Sequence, residues 1–279
     1  MKLKLKWIKL LIVAAFAALT KRILGSHAYA VIVNSENGLL AVDPEDFGVG
    51  KKLRVTGKYG STELERLRPH ITSDCKVLIV GAHVGALAIP ISKLCKSVIA
   101  IEANPATCDL LKTNILLNSI SNCKVLNIAA NDKSENISFL MNRVNSGSSK
   151  RVPQARKLMY YFDNPERITI NAVSLDEYLE ENNFHIVLMD IEGSEYLALK
   201  GMQEILSNCK LLVVEYLPHH LKNVSGVTVA QFLSVISPHF SKLTIPSKQL
   251  EIRTPEFCHH LTEMYKRDKG DRSLVFEKI

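Results

Sequence analysis

The chain of 279 residues is 47% hydrophobic and 23% charged, with 13 glycines and 10 prolines, which excludes collagen-like and low-complexity disordered classes. Its net charge of +7 sits at one end: Lys2, Lys4, Lys6, Lys9, Lys21 and Arg22 precede the first acid, leaving 29 basic against 28 acidic residues in 23–279. A body so close to neutral argues against a broad nucleic-acid footprint, and no nucleic-acid partner is expected. The six cysteines form no CxxC pair and fit neither a zinc module nor a small disulfide scaffold, so they read as reduced residues of an intracellular protein.

Leu10–Leu19 is an unbroken apolar run behind a lysine-rich start. A spanning helix needs about 20 apolar residues, so this run is too short to cross a bilayer. Ala28-Tyr29-Ala30 imitates a secretory cleavage site, but Lys21 and Arg22 separate it from the run. Two readings stay open for residues 1–26: an interfacial helix held to anionic lipid at the inner membrane face, and a cytoplasmic helix packed on the domain.

Residues 27–74 read as a small β-rich lead-in. Ala28–Val33 and Leu39–Val42 flank Asn34-Ser-Glu-Asn-Gly38, a hairpin signature; Asp43–Gly60 reads as loops and Thr62–Pro69 as a helix. From residue 75 onward strands and helices alternate. Strands are expected at Val77–Val80, Ser97–Ile101, Lys124–Ala129, Asn136–Met141, Ile168–Val173, Ile186–Met189, Lys210–Tyr216 and Ser273–Phe276. Helices are expected at Val84–Leu94, from Pro105 to about Asn118, and at Glu195–Ser207 and Val229–Ile236; residues 142–167 read as a polar connection. The alternation implies an α/β, doubly wound, mostly parallel sheet with helices on both faces, occupying residues 75–279.

Ligands of such sheets bind outside the carboxyl ends of the strands, where strand order reverses. Gly81-Ala82-His83-Val84-Gly85 follows the first strand, and its glycines let the backbone approach a ligand. A dinucleotide fingerprint is not met, because His83 and Ala86 occupy its second and third glycine positions. Glu102 ends the second strand about 20 residues after that turn, where a carboxylate accepts both hydroxyls of an adenosine ribose. A solvated strand-end acid is the alternative.

Val77-Leu-Ile-Val-Gly-Ala-His-Val-Gly85, Ile101-Glu-Ala-Asn-Pro105 and Met189-Asp-Ile-Glu-Gly-Ser-Glu-Tyr-Leu-Ala-Leu-Lys-Gly201 together resemble the FkbM-type family of S-adenosylmethionine-dependent methyltransferases. Val214-Glu-Tyr-Leu-Pro218 and the Asn145-Ser-Gly147 turn are similar to it as well. The resemblance implies a class I methyltransferase fold with a seven-stranded sheet, S-adenosylmethionine as cofactor, and O-methylation of a sugar, lipid or secondary metabolite. Two positions depart from the family pattern: Ile79 stands where it has an acid, and His83 where it has Asn.

In that frame Gly81, Ala82, His83, Gly85, Glu102, Ala103, Asn104, Asn131 and Asp132 are the expected cofactor-binding residues. For Asn131 and Asp132 a simple turn is the alternative. Asp190, Glu192 and His219 are the expected catalytic residues, and Asn145, Lys150 and His220 the substrate-binding ones. Glu192 capping the next helix competes with its catalytic reading, and a solvated loop competes for the charges at Arg143, Lys150 and Arg151. Asp190, Glu215, His219 and His220 carry ligand types that suit several metals, but their spacing is unspecific and no metal is assigned. The expected acceptor is a small molecule, glycan or lipid. Two other functions remain open: a non-catalytic binding or scaffold protein that keeps this fold, and a nucleotide-dependent oxidoreductase.

Overall fold

The computed structural model describes residues 2–278, with side chains from Ile8 onward. Helix α1 (Lys2–Leu24) ends on Lys21 and Arg22, the sign that suits the carboxyl end of a helix dipole. Ile8, Leu11, Ile12, Phe16, Leu19 and Ile23 form an exposed apolar stripe along it. Among the described residues, no helix is long and apolar enough to cross a membrane.

Strands β1 (Val31–Ser35) and β2 (Gly38–Val42) form the expected hairpin, with Ser35 opposite Gly38. The next stretch is not all loop: it contains α2 (Val49–Thr56), which buries Val49 and Leu53 one turn apart and ends at Gly57 with φ 66°. A single apolar step of four residues is easily hidden by four nearby glycines. Helix α3 (Ser61–Leu67) follows.

The chain then runs through β3 (Lys76–Val80), α4 (Ala88–Ser92), β4 (Ser97–Ile101), α5 (Pro105–Leu117) and β5 (Cys123–Leu126). Helix α4 is shorter than the apolar run 84–94, because the glycine turn continues to Leu87. Strands β6 (Ala129–Ala130), β7 (Glu135–Met141), β8 (Lys150–Arg151) and β9 (Glu166–Val173) build a separate four-stranded sheet in the order β6-β9-β7-β8. After α6 (Leu175–Tyr178) and β10 (Ile186–Met189) come α7 (Glu195–Lys200) and α8 (Gln203–Asn208), where one continuous helix was expected. The break falls at Gly201, where a Cβ would lie 2.0 Å from the carbonyl oxygen of Asn131. The chain ends with β11 (Leu211–Tyr216), α9 (Pro218–His220), α10 (Val229–Ser234), β12 (Lys242–Ile245), β13 (Leu250–Arg253), α11 (Thr254–Lys266) and β14 (Asp271–Glu277).

The main sheet has the order β13-β12-β14-β11-β10-β3-β4-β5. Strands β11, β10, β3, β4 and β5 are parallel, and β14 runs antiparallel to both of its neighbours. Eight strands stand where seven were expected, the extra one being β13, a hairpin partner of β12 on the edge. Strand order reverses between β3 and β10, which places the switch point directly above Val80 and Met189. Alternate residues of these two strands face opposite cores: Leu78, Val80, Val187 and Met189 on one side, Val77, Ile79, Ile186 and Leu188 on the other. The second core also takes in Val42, Val49 and Leu53, so the lead-in packs on the Ile79 face.

Candidate active site

The close passage of β3 and β10 decides the glycine at the switch point. Gly81 has φ 90°, and a Cβ on it would stand 1.9 Å from the carbonyl oxygen of Asp190. The Asp190 N–H donates to the Val80 carbonyl at 3.0 Å, and the N–H groups of Gly81 and Ala82 both donate to the Ile101 carbonyl at 2.9 Å. The turn is thus tied to both neighbouring strands.

Glu102 follows β4 and is buried. Its Oε2 accepts the His83 N–H at 2.9 Å and its Oε1 the Asn104 N–H at 2.8 Å. Burial pushes this carboxyl above the usual glutamate range, while His83 and the backbone N–H groups hold it back. Each oxygen keeps a free accepting position for a further donor. Beside it lies a narrow cleft, walled by Val80, Gly81, Ala103, Ile128, Phe139 and Arg151. Its apolar walls between two sheets suit a flat ring system.

The structure distributes the remaining expected cofactor residues unevenly. Gly85 closes the turn with φ 88°. Asn104 is buried and caps α5, its side chain accepting the Ala106 N–H at 3.1 Å, while its main-chain N–H donates to Glu102 and its carbonyl accepts the Cys108 N–H at 2.8 Å. Asn131 is fully engaged at the Nδ2 side by Lys133 and Glu135, and its Oδ1 accepts from Arg151 at 2.8 Å. Asp132 turns outward to pair with Lys200 at 3.0 Å and does not line the cleft.

Asp190 is exposed just past the carboxyl end of β10. Surrounding protein and the charges of Glu192 and Glu195 raise its carboxyl above the ordinary aspartate range, and water reaching it moderates that effect. Glu192, at φ 57°, does not cap the following helix; Glu195 binds that turn instead, accepting the Gly193 and Ile191 N–H groups at 3.0 and 3.2 Å. Glu192 reaches Lys150, whose ammonium lies 3.1 Å from its Oε2. The expectation of a solvated loop at Lys150 is corrected here: it is buried, also 3.5 Å from His220 Nε2 and over the Tyr160 ring. Arg143 does lie at the surface, paired with Glu45.

Glu192, Glu215 and His220 bring three donor atoms within 4.8 Å of one another, a spacing that would admit a cation, and the Lys150 ammonium already neighbours two of them. Burial and the nearby Asp190 and Glu192 charges push the Glu215 carboxyl well up. Burial, then Lys150, push the His220 imidazole down to about 2. This buried ring, an expected substrate-binding residue, has its Nδ1 3.3 Å from Glu192 Oε2. His219 is partly exposed, with Nδ1 4.0 Å from Asp268.

Asn145 holds its own turn through Ser148. Its neighbour Ser146 was not singled out in the sequence, although the turn was. Ser146 Oγ lies 2.7 Å from His83 Nε2 and donates to Asp46 Oδ2 at 2.7 Å. Asp46 itself carried no signal, being one acid among the Asp-Pro-Glu-Asp residues of an apparent loop. Tyr160 and the role of Glu195 were likewise placed only by the fold.

A Gly-turn after the first strand, an acid after the second and reversal between β3 and β10 in a sheet with an antiparallel β14 define a class I methyltransferase fold. The model of the methyltransferase FkbM domain matches residues 80–270, and the chain belongs to that family. A probable ribosomal RNA small subunit methyltransferase A of Methanosphaera stadtmanae is 38% identical over 50 residues, 18% of this chain and 18% of that protein. The FkbM methyltransferase of Methylobacillus flagellatus KT is similar at 17% identity and a TM-score of 0.43, covering 74% of this chain and 44% of that one. A tRNA methyltransferase of M. jannaschii is similar at 14% identity and a TM-score of 0.45, covering 91% and 58%. The chain thus spans under two thirds of each of these proteins.

The first of these relatives corrects one expectation. Nucleic acid was excluded as a partner on the near-neutral charge of residues 23–279, yet a curated protein that part of this chain resembles is a probable ribosomal RNA methyltransferase, so that exclusion does not stand. The physical reason is that net charge reports an average field. An enzyme that takes one base into a pocket relies on pocket shape and a few local contacts.

Proposed function

We propose that this protein transfers a methyl group from S-adenosylmethionine to a hydroxyl oxygen, on a sugar, lipid or secondary metabolite. The observation that carries the reading is the placement of Asp190: it is exposed at the carboxyl end of β10, against Gly81, at the switch point beside the cleft.

The residues present fit the cofactor. The cleft between Ala103 and Ile128 suits an adenine ring, Glu102 keeps accepting positions for two ribose hydroxyls, and the Gly81–Gly85 turn offers main chain to the methionine part. When bound, S-adenosylmethionine supplies a methyl carbon on a positively charged sulfur. The chain's own task is to hold the acceptor in line and to receive one proton. Asp190 orients the acceptor hydroxyl and takes its proton as the oxygen attacks. Glu192, fixed by Lys150, bounds the acceptor side with its charge already compensated. His219 is the competing base.

The cytoplasm, at the inner face of a membrane, is the location that fits the lysine-rich start and the exposed apolar stripe of α1. The test of the function is release of S-adenosylhomocysteine from S-adenosylmethionine in the presence of fractionated sugars, lipids, small metabolites and RNA. Turnover with a hydroxyl-bearing small molecule or lipid supports the reading. Turnover with RNA alone overturns its acceptor class, and absence of donor binding overturns it altogether.

A further inference from the structure

Three segments far apart in sequence meet at the side chain of His83. Asp46 comes from the lead-in, Ser146 from the turn before β8, and His83 from the glycine turn itself. Asp46 is buried, and both of its oxygens are engaged: Oδ1 accepts the Gly48 N–H at 2.7 Å and Oδ2 the Ser146 hydroxyl at 2.7 Å. A hydroxyl has one proton. Since Ser146 gives its proton to the carboxylate, its oxygen is left to accept, and His83 Nε2 at 2.7 Å must be the donor. A carboxylate that can only accept therefore fixes the tautomer of the imidazole through one hydroxyl. In its neutral form such a ring carries its lone pair on Nδ1, an atom with no hydrogen-bond partner among the described residues, while Nε2 also lies 3.9 Å from Asp46 Oδ2.

The main chain of His83 is anchored at the same time, its N–H donating to the Glu102 carboxylate at 2.9 Å. The array thus lies next to the ribose acid, on the side of the glycine turn. Ile79 is buried in the core that takes in Val42, Val49 and Leu53, so the lead-in that carries Asp46 packs on this face of the sheet.

We propose that His83 Nδ1 accepts a hydrogen bond from the α-ammonium group of the methyl donor's amino-acid part, with Ser146 and Asp46 as positioning residues that hold the ring in the accepting tautomer. The inference rests on the reading of the cleft as an S-adenosylmethionine site, and deepens it by naming what recognises the methionine end.

Calorimetry on the full chain with three ligands tests it: S-adenosylhomocysteine, its decarboxylated analogue that keeps the amine, and 5′-deoxy-5′-methylthioadenosine, which lacks the amino-acid part. His83→Gly is the chosen variant, because glycine adopts φ 50° without strain. The expected result is a loss of about tenfold in affinity for the two amine-bearing ligands and no change for methylthioadenosine. Ser146→Ala and Asp46→Asn should lower the same ratio by a smaller factor, about threefold, without changing methylthioadenosine binding. An equal loss for all three ligands, or none, overturns the proposal. A loss for S-adenosylhomocysteine but not for its decarboxylated analogue assigns the contact to the carboxylate and overturns it too. Should no ligand bind to the unaltered chain, the cofactor reading itself fails, an outcome separate from these.

Discussion

The side-chain amide of Asn114 pairs with the main chain of Ala41 as a neighbouring strand would, accepting its N–H at 2.6 Å and donating to its carbonyl at 3.0 Å. The same Nδ2 donates to the Val84 carbonyl at 2.8 Å. One buried side chain on α5 thereby joins the lead-in to the glycine turn. Asn114→Leu keeps the volume and leaves three buried main-chain groups without a partner, at about 1–3 kcal/mol for each group that cannot reach water. The expected outcome is a loss of about 3 kcal/mol or more in urea denaturation. A loss under about 1 kcal/mol would show that the lead-in docks independently of this residue.

Glu102→Ala is expected to weaken S-adenosylhomocysteine by about 1.5–3 kcal/mol, the scale of hydrogen bonds to a charged acceptor. The same residue predicts a pH dependence. Because burial raises its carboxyl, the proton it takes up as pH falls arrives at a higher pH than for an ordinary glutamate. Ribose hydroxyls need the ionised form, so affinity should be full above the raised value and decline as pH drops through it. The empty fold has the opposite sign: the stability linked to this raised group is present below the unfolded value and lost as pH rises through the folded one. Calorimetry across pH checks the binding half, and Glu102→Gln should remove its slope.

Asp190→Asn preserves shape and removes the proton acceptor. Turnover should fall by roughly 10²–10⁴-fold with donor affinity little changed. Steady-state kinetics beside donor titration separates the two effects. Retained turnover in Asp190→Asn, together with its loss in His219→Ala, would transfer the base to the imidazole.

The exposed stripe of α1 predicts flotation with anionic vesicles that weakens as salt rises, since screening reduces the lysine contribution. A chain lacking residues 1–24 should lose flotation and keep donor binding. Equal recovery of both chains with vesicles would favour a helix packed on the domain.

Much of the fold was legible from residues 76–141 and 186–216, because strands buried on both faces are written as short apolar runs between glycine and asparagine turns. The glycine turn and Glu102 were legible for the same reason: their place in the chain fixes their place at a strand end. Strands β12 and β13 were not, since four-residue edge strands such as Lys242–Ile245 and Leu250–Arg253 carry too little period to stand out. The break at Gly201 was hidden as well, because the carbonyl that leaves no room for a side chain there belongs to Asn131, some seventy positions earlier.

The site shows the same division more sharply. Sequence order set Gly81, Glu102 and Asp190 at the carboxyl ends of strands, because that depends only on local alternation and on the rule for open parallel sheets, while the neighbourhood of the Asp190 and Gly81 strands was implied by the family resemblance. Burial was decided by the tertiary structure. It drew Lys150 out of an apparently solvated loop to face Glu192, pushed the His220 imidazole down, turned Asp132 outward to Lys200, and delivered Asp46 through Ser146 to His83. A charge in sequence has no dielectric until its neighbours are placed. Which carboxylate stays ionised, and which imidazole nitrogen keeps its proton, are properties of contacts between segments that the chain itself lists far apart.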